Sequence, residues 1–273
     1  MRILVTNDDG IETPGLHVLA RALTRLGEVL VVAPDGEYSG SSAAFGAINL
    51  IRPVVLNVAV DGIDESFSVS GPPALCVLFG CLGAFGPPPD LVVAGINPGA
   101  NVGRSIYHSG TVGAAITARS RGISGLAVSQ DLPEADGDAQ LWDTAAQVAV
   151  EVARGLLLGV GGTAVALNLN VPNRSLADLK GWCSAEVGTV AHRALARARL
   201  EPRAEPAGGF DVVMEFGEPN VLPPQIDGGA VSNGYVSVTW LSPIRHEFDP
   251  SQRGSAAVVE ALSALVGNPV HAS

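Results

Sequence analysis

Two adjacent aspartates, Asp8 and Asp9, lie directly behind the apolar run Ile3-Leu4-Val5 and directly ahead of Gly10. On a continuing strand, neighbouring side chains point to opposite faces. The tetrapeptide Asn7-Asp8-Asp9-Gly10 instead reads as a turn, in which both carboxylates can converge on one oxygen-loving cation. Without a cation, two like charges this close repel. An Asp-Gly turn is also an ordinary way to end a strand, so the pair gains chemical meaning only from its neighbours.

Ligands of an open parallel sheet bind beyond the carboxyl ends of its strands. Three segments that follow predicted strands are rich in donors: Thr6-Asn7-Asp8-Asp9-Gly10, the run from Pro34 through Ser39-Gly40-Ser41-Ser42, and Gly95-Ile96-Asn97-Pro98-Gly99-Ala100-Asn101-Val102-Gly103. All three should meet at one rim. Two carboxylates, a serine hydroxyl and asparagine amides form an all-oxygen set that suits Mg²⁺, Mn²⁺ or Ca²⁺ better than zinc. Taken singly, Ser39 to Ser42 would be a flexible loop and Asn97 a turn former; convergence makes them a site. A fourth segment, His108-Ser109-Gly110-Thr111-Val112-Gly113, leads small and hydroxylated residues into a helix. Its free N–H groups and positive dipole end offer a phosphate site, although a Ser or Thr N-cap on a closely packed helix explains the same residues. His108 is a candidate general acid only, because a lone loop histidine is more often neither catalytic nor a ligand.

Two chemistries compete at such a rim. A covalent aspartyl-phosphate enzyme needs a carboxylate nucleophile, and its familiar pattern separates the paired aspartates by one residue, which this chain does not do. Direct attack by water on a phosphoryl group fits better, with one carboxylate helping to hold a metal and orienting water whose pKa the metal lowers.

The elements that must position these residues follow from periodicity. Strand-like runs at 2–6, 29–33, 91–94, 125–129 and 163–168 alternate with helical patterns at 14–26, 111–121 and 139–158, which predicts an α/β fold with a parallel sheet. Pro14 suits a first-turn position after Thr13, and Gly27 suits a C-terminal stop after Leu26. Residues 48–60 and 66–70 read as a hairpin and 73–82 as a helix. Beyond Pro172 the pattern changes: 182–190, 210–216 and 235–241 read as strands between loops rich in Pro and Gly, expected to project from the core. A final helix at 255–266 should pack on its own chain or reach a neighbouring subunit. The expected division is a catalytic core over 1–172 and an extension over 173–273 that is not an independent domain.

At 273 residues the chain can bury a core without disulfides or structural metals. With 47% hydrophobic residues but no uninterrupted apolar segment of about 20 residues, a membrane span is not expected. The N-terminus shows no export signal. Cys76, Cys81 and Cys183 lack metal-ligand spacing and read as thiols of a reducing cytoplasm. A net charge of −11 disfavours polymeric nucleic acid as a partner but leaves room for a small anion beside a metal.

The ordered motifs Asn7-Asp8-Asp9-Gly10 with Pro14-Gly15, Ala33-Pro34-Asp35 with Ser39-Gly40, Gly95-Ile96-Asn97 with Gly99 and Asn101-Val102-Gly103, and Ser109-Gly110-Thr111-Val112 resemble the SurE family of survival-protein nucleotidases. The likeness is dense over about the first 130 residues and returns at Leu167-Asn168-Leu169-Asn170-Val171-Pro172 and Gly234-Tyr235-Val236-Ser237-Val238-Thr239. It implies a Rossmann-like three-layer α/β/α core with a β-rich C-terminal arm, and a divalent-metal-dependent 5′-nucleotidase acting on nucleoside 5′-monophosphates and often 3′-monophosphates. It further implies one Mg²⁺ or Mn²⁺ per subunit and homodimers or homotetramers built through exchanged C-terminal elements. By the same resemblance Asp8, Asp9, Ser39 and Asn97 are metal ligands, with Asp8 and Asp9 catalytic. Asn7, Gly40, Asn101, Ser109, Gly110 and Thr111 fall on the phosphate or substrate side. The chain departs from the family pattern at Gly36-Glu37-Tyr38, where many members carry Arg-rich residues, and at Ala74-Leu75, His108 and Thr117. These departures spare the metal set and bear on substrate choice, so a phosphatase for a specialised metabolite or short polyphosphate, or a non-catalytic nucleotide-binding protein, are the alternatives.

Overall fold

A computed structural model describes residues 1–46, 52–135, 138–189, 195–203, 208–218, 220–242 and Val258. In chain order its elements are β1 (Arg2–Thr6), α1 (Pro14–Leu23), β2 (Glu28–Pro34), β3 (Val55–Asn57), β4 (Glu65–Val69), α2 (Pro73–Cys81), β5 (Leu91–Pro98), α3 (Gly110–Ser120), β6 (Ser124–Gln130), α4 (Trp142–Leu158) and β7 (Ala166–Val171). Then follow β8 (Trp182–Ser184), β9 (Leu195–Pro202), β10 (Phe210–Phe216), α5 (Asp227–Ser232) and β11 (Val236–Leu241).

One sheet runs in the order β3-β4-β2-β1-β5-β6-β7-β11-β8, while β9 and β10 form a separate antiparallel pair. The strands from β4 through β7 are mutually parallel, as the alternation of strands and helices requires. Strand β1 is continuously apolar over Ile3-Leu4-Val5 because both of its faces are covered there. Ile3 and Val5 join Leu16, Leu19 and Leu23 of α1 and Ala145, Ala149 and Ala153 of α4. On the other side, Leu4 and Val92 meet Cys76 and Val77 of α2 and Ala114 and Ala118 of α3. Each fully buried leucine contributes about 1.5–3 kcal/mol, so the three-layer α/β/α core is ample to hold a polar rim in place. Strand order reverses between β1 and β5, and a ligand crevice opens at such a switch point.

Several expectations shift. Helix α1 stops at Leu23, and Gly27 serves a different need: a Cβ there would stand 2.2 Å from Met1 O. The strand expected at 163–168 lies at Ala166–Val171, which brings Asn170 into the ladder. The hairpin expected at 48–60 and 66–70 survives as β3 against β4, with 47–51 outside the described residues. The boundary expected at Pro172 is not where the chain divides, since β11 pairs antiparallel with β7 and β8 joins β11. A compact unit therefore runs from Met1 to Leu241, and among the described strands only the β9–β10 hairpin stands apart from the main sheet. The helix expected at 255–266 falls in the second unit, Ser242–Ser273, which apart from Ser242 and Val258 lies outside the described residues. Among the described residues no helix is long and apolar enough to cross a membrane.

Candidate active site

Backbone hydrogen bonds gather the strand ends. Ile11 N donates to Pro34 O at 2.9 Å and Tyr38 N to Asp8 O at 2.7 Å, so the loop carrying Ser39 folds onto the aspartate turn. Ser42 N donates to His108 O at 3.1 Å, which fastens the far end of that loop to the approach of α3. Strand β5 pairs with β1 with Ala94 opposite Thr6, so Asn97, three residues further on, stands level with the aspartates. Asn97 Nδ2 donates to Gly99 O at 2.7 Å, which leaves its amide oxygen for another partner.

Asp8 is 2% exposed, and it occupies the N-terminus of α3 itself. Its carboxylate accepts from Gly110 N at 3.1 Å and from the Thr111 hydroxyl. The helix end expected to receive a phosphate thus holds a side chain of the same molecule, because a fixed carboxylate meets free N–H groups as well as an outside anion does. Ser109 caps the helix by accepting from Val112 N at 3.1 Å, and its hydroxyl proton stays available to a ligand. Asn7 is fully buried and braces the turn from beneath, its Nδ2 donating to Gly10 O at 2.9 Å and Thr13 Oγ1 at 2.7 Å. Ser39 and Gly40 are exposed; Ser39 N donates to Glu37 Oε1 at 2.8 Å. Asn101 is buried, and His108 lies exposed at the edge.

Burial raises the Asp8 carboxyl above its ordinary range, against the lowering effect of its bonds to Thr111 and Gly110. Asp9 is pushed up to about 7, first by burial and then by the charges of Asp8 and Glu37. Asp9 Oδ2, Asn7 Oδ1 and Ser41 Oγ are buried without hydrogen-bond partners. Among the described residues no three His, Cys, Asp or Glu side chains converge, so a cation here would rely on hydroxyl and amide oxygens as well. Two carboxylates that resist ionisation, one with an orphaned oxygen, fit a hard divalent ion that would relieve both strains. A cleft of about 1000 Å³ lies elsewhere, against α4 and β11, and is walled by Val148, Leu156, Trp182 and Trp240. It lacks the donor set found at the rim.

The pH dependence has a definite sign. In the unfolded chain Asp9 ionises near its ordinary 3.8, whereas in the fold it does so near 7, so between these values only the folded state holds the proton. Stability therefore falls as pH rises through that window, and Asp8 acts in the same direction. In chelator, Asp9→Asn should melt higher than the parent at about pH 8 and lose the advantage below about pH 4. Parallel melting curves for the two proteins across this range would show that Asp9 is not held neutral.

Other polar residues have no role assigned from the sequence. Asn168, Asn170 and Ser129 are fully buried around Asn101, and Asp227 reaches the same loop. The alternation Asn168-Leu169-Asn170 in a buried strand was the available signal, since amides are placed there only when partnered.

Fold and rim together define a three-layer α/β protein with its polar centre at the β1/β5 switch point. The family model for survival protein SurE matches residues 3–194, and the chain belongs to that family. It is 41% identical over 216 residues to the 5′-nucleotidase SurE of Methanopyrus kandleri, covering 76% of this chain and 78% of that protein. It is 38% identical over 241 residues to the 5′/3′-nucleotidase SurE of Erwinia tasmaniensis, covering 88% and 90%. The crystal structure of the SurE protein from Aquifex aeolicus superposes with a TM-score of 0.75 at 30% identity, covering 97% of this chain and 99% of that one.

Proposed function

We propose that this chain is a phosphomonoesterase that hydrolyses nucleoside 5′-monophosphates, and 3′-monophosphates as well, with one Mg²⁺ or Mn²⁺ per subunit. The carrying observation is the pair of buried Asp8 and half-buried Asp9, both carboxyls raised and Asp9 Oδ2 unpartnered, at the rim where Ser39 and Asn97 also end. The names of the relatives support the substrate class. Asp8, Asp9, Ser39 and Asn97 would hold the ion, which when bound offsets phosphoryl charge and acidifies water. Thr111 and Gly110 fix Asp8 in one orientation. Asp9, whose Oδ2 has no hydrogen-bond partner in the fold, would be the carboxylate to take a proton from attacking water. The Ser109 hydroxyl and Asn101, whose Nδ2 is held by Ser129 Oγ, would lie on the phosphoryl side of the site. Free Cys76, Cys81 and Cys183 support a reducing, cytoplasmic setting.

Release of phosphate from AMP with Mn²⁺, with Mg²⁺ and with chelator tests this reading. Turnover with either metal and none in chelator is expected. Activity that survives exhaustive chelation removes the metal, and no release from any nucleoside monophosphate removes the substrate class.

Association as a homodimer or homotetramer belongs to the same proposal. Register places Leu200 opposite Val212 and Ala198 opposite Met214 on one side of the β9–β10 hairpin, while Arg199, Glu201 and Glu215 pair on the other. Leu200, Phe210, Val212 and Met214 are exposed. A two-stranded ribbon with one bare apolar side is marginal alone, and a second copy would cover it. Light scattering should give a mass above the monomer for the parent and a smaller one for Leu200→Glu with Val212→Glu; a parent that is monomeric at every concentration rejects the assignment.

A further inference from the structure

The segment entering the β9–β10 hairpin and the segment leaving it are knotted together. Glu186 N donates to Gln225 O and Asp227 N to Glu186 O, each at 2.9 Å, and Glu186 forms a parallel bridge with Ile226. Asp227 closes this knot from within. It is 1% exposed, and its carboxylate accepts three backbone N–H groups: Gly228 at 2.8 Å, Gly188 at 3.1 Å and Gly103 at 2.7 Å. The contact with Gly228 is a local cap at the start of α5. The shortest of the three leaves the knot and reaches the loop that carries Asn101.

That loop has two other anchors. Asn101 N donates to Asn170 Oδ1 at 2.7 Å, and Asn101 O accepts from Asn168 Nδ2 at 2.8 Å and Asn170 Nδ2 at 3.1 Å. The Asn101 side chain donates to Ser129 Oγ at 2.9 Å. Residue 101 is thereby fixed to β6 and β7, and residue 103 to the hairpin stem. Gly103 has φ of 57°, and a Cβ there would stand 3.2 Å from Gly188 O, so only glycine lets the loop lie flush on the stem.

We propose that Asp227 is a positioning residue for phosphate binding: it ties the loop 101–103 to the stem of the hairpin and so sets where Asn101 meets the substrate. The inference rests on the functional reading in which Asn101 lies on the phosphoryl side of the site. A cap alone does not account for the geometry, because capping α5 requires only the Gly228 contact. Burying a carboxylate is costly unless its bonds are used, and two of the three join segments distant in sequence.

Asp227→Asn keeps the volume but turns one oxygen into a donor, which must then face a backbone N–H. In the full chain with Mn²⁺, the affinity for inorganic phosphate should weaken about tenfold, with KM for AMP rising by the same factor and kcat changing little. Mn²⁺ affinity should match the parent, and hydrogen exchange over residues 100–109 should quicken while that of α1 does not. Where Asp227→Asn does not fold, Gly103→Ala carries the test, since it lifts the same loop from Gly188 and leaves the carboxylate in place. Phosphate affinity and 100–109 exchange at parent values, in a variant whose melting temperature has dropped, would reduce Asp227 to a structural brace and overturn the proposal. A parent that releases no phosphate from AMP, yet loses phosphate affinity on Asp227→Asn, would remove hydrolysis and keep the positioning role.

Discussion

Asp8→Asn and Asp9→Asn should each lower turnover by about 10³-fold or more while leaving the fold intact. Each change removes charge from the rim and no volume from the core. In Asp8→Asn the amide oxygen can keep Gly110 N while the new NH2 donates to the Thr111 hydroxyl, which turns to accept, so both contacts can persist. The change also relieves the burial of a group whose ionisation is already disfavoured. Asp9→Asn loses no hydrogen bond at Oδ2, because that oxygen has none. The expected pattern is inactive protein with an unchanged circular dichroism spectrum, and for Asp9→Asn a higher melting temperature in chelator at about pH 8. Activity near the parent's in both variants at saturating Mn²⁺ would remove these carboxylates from the mechanism. A collapsed spectrum would show instead that the pair holds the turn.

The parts of the site that were legible in the sequence are those where polar residues follow an apolar strand. Asp8 and Asp9 behind β1, Ser39 behind β2 and Asn97 at the end of β5 stand out because the βαβ alternation already fixes which end of each strand carries chemistry. What was illegible depends on long-range pairing. Nothing local announces that β11 returns to lie antiparallel on β7, so the chain after Pro172 read as a projecting arm when, among the described strands, only β9 and β10 stand apart from the main sheet. Asn170 was visible as part of a motif, but a three-residue shift of β7 hid its place in the strand, and its partner Asn101 lies 69 residues away. Asp227, followed by two glycines, looks like a turn residue, and its bond to Gly103 spans 124 positions. The α3 terminus was visible as a site for an anion, but sequence did not reveal that Asp8 itself fills it.

That occupied terminus makes Gly110 the position of α3 whose enlargement bears directly on Asp8. A Cβ on Gly110 would stand 2.8 Å from Asp8 Cβ and 2.9 Å from both Asp8 Oδ2 and Ser41 Oγ. The neighbouring atoms belong to a short buried side chain, and they cannot swing aside as the end of a lysine would. Gly110→Ala must therefore move Asp8, and a displacement of about 1 Å at a reacting group reduces turnover about 10²-fold. Helix propensity opposes the damage, since alanine inside a helix is better than glycine by about 1 kcal/mol. Stability should thus change little while activity falls, the opposite of what a core defect produces. Gly155→Ala in α4 is the control, because a Cβ there meets nothing within 4 Å. It should raise the melting temperature and leave kcat alone. If Gly110→Ala retains parent kcat and KM, Asp8 does not need its present position and the proposed centre fails. If both kcat and melting temperature collapse together, Gly110 matters for packing and the link from helix end to carboxylate is not the catalytic one.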